Sequence, residues 1–261
     1  MRAKSTTWGT LITVLLGMLL FTGSAGGAEI RVMISDGFAT AYLELIPEFE
    51  RATGHTLVTA RGASMGTAPN SIPSRLQLGE PVDVVIMVGD ALEGLVKQGK
   101  IAGRTRVDLA RSRIGVAVSA GSPKPDIASV DAFTRAMLEA KSLAYSSSAS
   151  GIYLSTELFP RLGIADQVRR KSKVIGSEPV AAAVARGDAE IGLQQISELL
   201  PIPGIDFVGP LPLEIQKITV FSAGIASETK EPEAARALIK FLASPAAAPI
   251  IAKSALEPMT P

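Results

Sequence analysis

The sequence predicts an α/β protein made of two successive units, and three observations carry that reading. Short apolar strands alternate with amphipathic helices along the chain, which is the pattern of parallel sheets with crossover helices. Aliphatic residues and alanine dominate while aromatic residues make up only 5%, a composition suited to helices packed on sheets. The turn-rich "GSPKPD" at 121–126 interrupts the alternation, and a second α/β set follows it.

The first 28 residues stand apart. Arg2 and Lys4 precede the apolar run Leu11–Phe21, and small residues ending "GSAGGA" close it. This is the layout of a secretory leader with cleavage expected after Ala28. The run is shorter than the roughly 20 apolar residues a spanning helix needs, so the exported chain is expected to be soluble.

The mature chain starts with "EIRVMIS", a buried strand, and "ATAYLELIPEFERATG", a helix from near Ala39 that Gly54 closes, with Pro47 a potential kink. "HTLVTARG" reads as a strand, "ASMGTAPNS" as a loop, "IPSRLQLG" as a short helix, "VDVVIMV" as a buried strand and "DALEGLVKQGKI" as a helix. In the second unit "RIGVAVSAG" is strand-like. It is followed by helix "SVDAFTRAMLEA", strand "SLAYSS", helices "GIYLSTELFPRLG" and "EPVAAAVARG", and strand "AEIGLQQ". "LLPIPGIDFVGPLP" is punctuated by Pro and Gly around one short strand, "KITVFSAGIA" is another strand, and "EPEAARALIKFLAS" and "PAAAPIIAK" are helices.

Charge and composition exclude several functions. Lys and Arg total 26 against 25 Asp and Glu; without Arg2 and Lys4, 24 remain against 25 and the net charge is −1. Nothing there recommends nucleic acid or an anionic membrane as partner. The absence of Cys removes disulfides, thiolate metal sites and a cysteine nucleophile. The single His55 follows a helix end, which argues against a hydrolytic triad or a zinc site. No Gly-rich dinucleotide or phosphate loop is present, and no cofactor or metal is expected.

Three loops each join an apolar strand to a helix start: "SDGF" at 35–38, "GASMGT" at 62–67 and "SSSASG" at 146–151. In open α/β sheets ligands sit at the carboxyl ends of strands. A helix start offers unpaired N–H groups, and Ser or Gly lets an anion approach them closely. Three such ends around one cleft can hold an anion without a formal positive charge.

The residues "LQLGEPVDVVIM" (76–87), "SGIYLSTELFPRLGI" (150–164), "SEPVAAAVARGDAEIGL" (177–193) and "EAARALIKFLASPAAAPII" near the end resemble, in order and spacing, the periplasmic solute-binding proteins of the molybdate-binding type, receptors of ABC importers. The resemblance implies a type II periplasmic-binding-protein fold: two α/β lobes, each a mixed sheet flanked by helices, with the ligand between them. It implies lobe 1 over 29–114 and 222–261, lobe 2 over 115–221, and hinge strands at Gly115–Ser119 and Ile218–Ala223. It also implies a periplasmic, monomeric protein and an ABC permease as partner.

Carried over position by position, the family's first-loop serine falls on Gly37, behind Ser35 and Asp36. Its second-loop serine falls at Ser64, beside Met65, in a loop longer than usual. Its backbone donors fall on Ser150, beside Gly151, and on Val180, and its tyrosine falls on Gln195. Two of these five positions, Gly37 and Gln195, change chemical type, which points from a compact tetrahedral oxyanion to an organic di- or tricarboxylate. Asp36 repels a dianion but can accept a hydrogen bond or a proton, or simply cap the following helix, while Arg61 and Arg75 flank the longer loop and are suited to carboxylates.

The resemblance extends to an enzymatic alternative, because exported proteins similar to this family include isomerases that interconvert cis- and trans-aconitate by an allylic proton shift. Such a cleft needs one base, since the donors that hold the carboxylates also stabilise the developing enolate. Asp36 and Glu178 are the candidate bases and Tyr153 the candidate acid; Glu178 in a helix's first turn also has an ordinary role toward the dipole.

Overall fold

The computed structural model describes residues 27–176 and 178–259; the expected leader lies outside the described residues except for Gly27 and Ala28. The first run of elements is β1 (Glu29–Ser35), α1 (Asp36–Thr53), β2 (Thr56–Gly62), α2 (Ile72–Gln77), β3 (Val84–Val88), α3 (Gly89–Lys97) and β4 (Val107–Ser112). The second begins with β5 (Ile114–Ser119), α4 (Val130–Glu139), β6 (Leu143–Ser146) and α5 (Ala149–Tyr153), which continues through a π-helical turn (Leu154–Leu158) into α6 (Phe159–Arg161). It goes on with α7 (Ala165–Arg169), β7 (Ser172–Ile175), α8 (Val180–Ala185), β8 (Ile191–Gln195), α9 (Ile196–Leu199) and β9 (Ile205–Pro210). The chain then returns through β10 (Thr219–Ile225), α10 (Pro232–Leu242), α11 (Ala248–Lys253) and β11 (Glu257–Pro258).

Two mixed sheets result. One has the order β11-β4-β10-β3-β1-β2 and the other β7-β6-β8-β5-β9. β1 runs parallel to β2 and β3, and β6 parallel to β7 and β8, whereas β10 and β5 are antiparallel to their neighbours. β3, "VVIMV", is buried at every residue, as a central strand covered on both faces must be. Phe38, Tyr42, Leu45 and Phe49 of α1 pack with Ile34, Ile86 and Phe221 in one core. Phe133, Tyr145, Leu158, Phe159 and Leu193 gather in a second.

The chain passes between the sheets at Arg113 and at residues 211–218. The segments expected as hinges, Gly115–Ser119 and Ile218–Ala223, are almost wholly sheet members in β5 and β10, and the crossings between the sheets lie just before these strands. Gln216 fastens the two passages together: its Oε1 accepts from the Ile114 N–H at 2.9 Å and its Nε2 donates to the Ile114 carbonyl at 2.8 Å.

Several elements differ from the sequence expectation. β4 and β7 carry charged or half-exposed residues in "VDLARS" and "SKVI", so they lack the apolar run that marked the other strands. α1 begins at Asp36, not near Ala39, and runs through Pro47; Ser35 is its N-cap without a side-chain cap bond. Gly54 closes it in the left-handed conformation, φ 73°.

Candidate interlobe cleft

The carboxyl ends of β1, β3, β6 and β8 converge on one place. A small cavity of about 10 Å³ lies there, walled by Ser35, Ser64, Ser146, Ser150, Gln195 and Glu198 among others. A second, of about 40 Å³, shares Ser35, Ser146 and Glu198 and extends outward past Asp36, Gly176 and Glu178. The three serine-bearing loops expected from the sequence therefore do meet, and they do so where strand topology places a ligand.

The hydroxyls differ in their commitments. Ser64 is fully buried and its Oγ accepts from the Val88 N–H at 3.0 Å, leaving its O–H free to donate. Ser146 and Ser150 share one hydrogen bond at 3.1 Å, so one proton of the pair is available to a ligand. Gln195 donates to Thr219 Oγ1 at 2.8 Å, while its buried Oε1 has no partner among the described residues.

Gly37 explains itself through Phe221. A Cβ at residue 37 would lie 2.2 Å from Phe221 Cζ, a distance no real contact reaches, so the aromatic ring fills the space that a serine side chain needs. Gly37 instead offers its carbonyl to Ser197 Oγ at 2.7 Å, a buried bond between α1 and α9 that ties one sheet unit to the other. Gly151 is similarly compelled: a Cβ there would lie 1.6 Å from the Ser146 carbonyl oxygen. Its absence lets α5 start directly over the end of β6.

The ionisable groups are arranged differently from the expectation. Asp36 is the first helical residue rather than a side-chain cap, and Arg61 grips it at 2.6 and 2.7 Å. Glu178 is held in a fork by Arg186 at 2.7 and 2.8 Å, and that pairing pulls its carboxyl below the usual range. It reaches only the outer cavity, so the expectation of a base there gives way to a surface ion pair. Arg75 pairs with Glu80 and also donates to the Arg61 carbonyl at 3.2 Å, away from the cavities.

Glu198, in the first turn of α9, is the group that sequence reasoning missed. Burial pushes its carboxyl up to about 8, and the nearby negative charge of Asp36 adds to the effect; a hydrogen bond from Gln194 Nε2 and the charge of Arg61 oppose it. The one local signal was the end of the strand "AEIGLQQ" at Gln195; the short helix after it and the burial of Glu198 leave no mark in the sequence.

The remaining expected residues are not brought together. Tyr153 and Met65 line a neighbouring cavity of about 190 Å³ that adjoins the first through Val88 and Ala149. The Tyr153 hydroxyl is spent on the Ile215 carbonyl at 2.9 Å, so it is no acid in the serine cluster. The Val180 N–H donates to Gln194 Oε1 at 3.0 Å and is no free anion donor. His55 is remote, its Nδ1 accepting from the Ala28 N–H at 2.9 Å.

Comparisons with known proteins agree with this architecture. The family model described as bacterial extracellular solute-binding protein matches residues 30–256. An aconitate isomerase from Pseudomonas sp is 46% identical over 254 residues, covering 95% of this chain and 97% of that one. The molybdate-binding protein ModA of Azotobacter vinelandii is 26% identical over 252 residues, 92% of this chain and 94% of that one. The solved periplasmic molybdate-binding protein of the same organism superposes with a TM-score of 0.70 at 22% identity, covering 89% and 99% of the two chains.

Proposed function

The chain belongs to the bacterial extracellular solute-binding protein family, on a divergent molybdate-binding-like branch, and from that premise we propose that it isomerises a small polycarboxylate of the aconitate type. The observation that carries this reading is the 46% identity to an aconitate isomerase over 95% of the chain. The cleft supplies chemistry to match. Serine hydroxyls at 35, 64, 146 and 150 hold the carboxylates, and Glu198 is the base.

The reaction is an allylic proton shift. Glu198 takes a proton from the substrate CH2, and the electron pair of that C–H bond becomes delocalised through the adjoining C=C and carboxylate as a dienolate. The proton returns to the carbon that was vinylic, and the double bond moves by one position. Because the propene tricarboxylate skeleton is the same read from either end, the product is aconitate again, with the other geometry available. Donors aimed at the carboxylates stabilise the dienolate charge, and no cofactor is required.

The serine-walled cavities of about 10 and 40 Å³ have room for roughly one water to a few, so a six-carbon acid reaches the serines only when these walls part, with the rest of its body extending into the adjoining cavity of about 190 Å³. Ser35, Asp36, Gly37, Ser64, Ser150 and Gln195 then form the contact set, with Met65 and Tyr153 bordering its inner side. Arg61 exchanges Asp36 for a substrate carboxylate. The leader ends at Ala28, and the mature monomer works in the periplasm.

A transport role is the second reading, favoured by the 26% identity to ModA over 92% of the chain: the same cleft would hand the acid to an ABC permease. Glu198→Gln separates the two. Loss of isomerisation by roughly 10²–10⁴-fold with substrate binding retained is expected of the enzyme. A wild-type protein that binds aconitate and leaves it unconverted would establish the receptor instead.

A further inference from the structure

At the end of the first sheet remote from the cleft lies a separate cavity of about 450 Å³. Its floor is apolar: Val107 opens β4, Ile225 closes β10, and Ile239 comes from α10. α10 lines it with Arg236, Ile239 and Lys240, and its C-cap Ala243 continues the same helical stripe. The loop before β4 adds Arg104. No acidic residue lines this cavity among the described residues. Arg236 makes one exposed pair with Glu233 at 3.3 Å, whereas neither Arg104 nor Lys240 is in an ion pair among the described residues.

We propose that this cavity is a binding site for an amphiphilic carboxylate, with an apolar body on Val107, Ile225 and Ile239 and its carboxylate between Arg104 and Lys240. The volume is that of a small-molecule site, and an apolar lining with a few convergent polar groups is the usual composition of such sites. The cationic rim selects against neutral and positively charged amphiphiles, because only an anion relieves the mutual repulsion of the three cations. The site is independent of the cleft and of the reaction assigned to it.

The test is methyl NMR of the mature full chain titrated with decanoate, with decanol and decyltrimethylammonium as matched neutral and cationic probes. Saturable shifts of the Ile225 and Ile239 methyls with decanoate are expected, with decanol at least about tenfold weaker and the cation weaker still. Arg104→Glu combined with Lys240→Glu, both on exposed side chains, should weaken decanoate by more than about tenfold while aconitate conversion stays unchanged. Decanoate shifts confined to cleft residues, absence of saturation into the millimolar range, or equal binding by the doubly reversed variant would overturn the proposal.

Discussion

At the scale of single residues, Glu198 and Gly37 show how neighbours assign chemistry that the residue type alone does not. Glu198 is an ordinary glutamate until α9 carries it into the cleft wall, where burial and Asp36 together raise its carboxyl to about 8. As the base of the proposed allylic shift it must be ionised in the free protein. The kcat/KM for aconitate is therefore expected to rise about tenfold per pH unit below about pH 8 and to level off above it, which a pH–rate profile measures directly. Glu198→Gln should abolish that limb along with turnover. Gly37→Ser is expected to destabilise the fold by about 1–3 kcal/mol, as overpacking does, because its Cβ meets the Phe221 ring; thermal unfolding reads the loss. Ser35, Ser64 and Ser150 were legible in the sequence because small residues at strand-to-helix junctions have a local signature. Glu198 and Phe221 were not, since their importance comes from burial against segments distant in the chain.

At the scale of elements, the cleft is made where a strand ends and a helix begins, four times over. β1–α1 and β6–α5 were readable from alternating apolar runs and serine-rich junctions. β8–α9 was not, because a four-residue helix leaves no periodicity to read. β4 and β7 escaped for a related reason: their charged, half-exposed residues hide the strand pattern. The α5–α6 region read as one helix contains a π-helical turn at Leu154–Leu158, a distortion that often accompanies functional sites. Two expected outcomes belong here. Ser150→Leu fills the small cavity at the start of α5, so aconitate should no longer raise Tm, with far-UV circular dichroism unchanged. Ser197→Ala removes the buried bond from α9 to the Gly37 carbonyl and should weaken the closed arrangement by about 1 kcal/mol. In small-angle X-ray scattering the unliganded variant should then be more expanded than the wild type.

At the scale of the whole molecule, two sheets joined at Arg113 and at residues 211–218 both contribute walls to the serine-lined cavity, so under the proposed function substrate binding and lobe closure are linked events. The two-sheet architecture and its order of elements were legible from the alternation of strands and helices and from the family resemblance. The position of the joints was not, because the charged "LARSR" at 109–113 hides the end of β4, and nothing local in "PLEIQK" at 212–217 says that the chain crosses back there. Protonation of Glu198 also marks global stability. The closed fold keeps a proton up to about pH 8 that the unfolded chain releases near the ordinary value of 4.5. Between those values the native state binds the more protons, so the contribution of this residue is complete below pH 4.5 and is lost as pH rises through 8. Urea unfolding of wild type and Glu198→Gln across that window should show the wild type losing stability relative to the variant. The most direct measurement of what the cleft does is proton NMR of cis-aconitate in D2O with a catalytic amount of the mature protein. Appearance of trans-aconitate with deuterium entering the CH2 position is the expected result. An unchanged spectrum, with selective line broadening of aconitate at stoichiometric protein, would contradict the isomerase and leave a receptor.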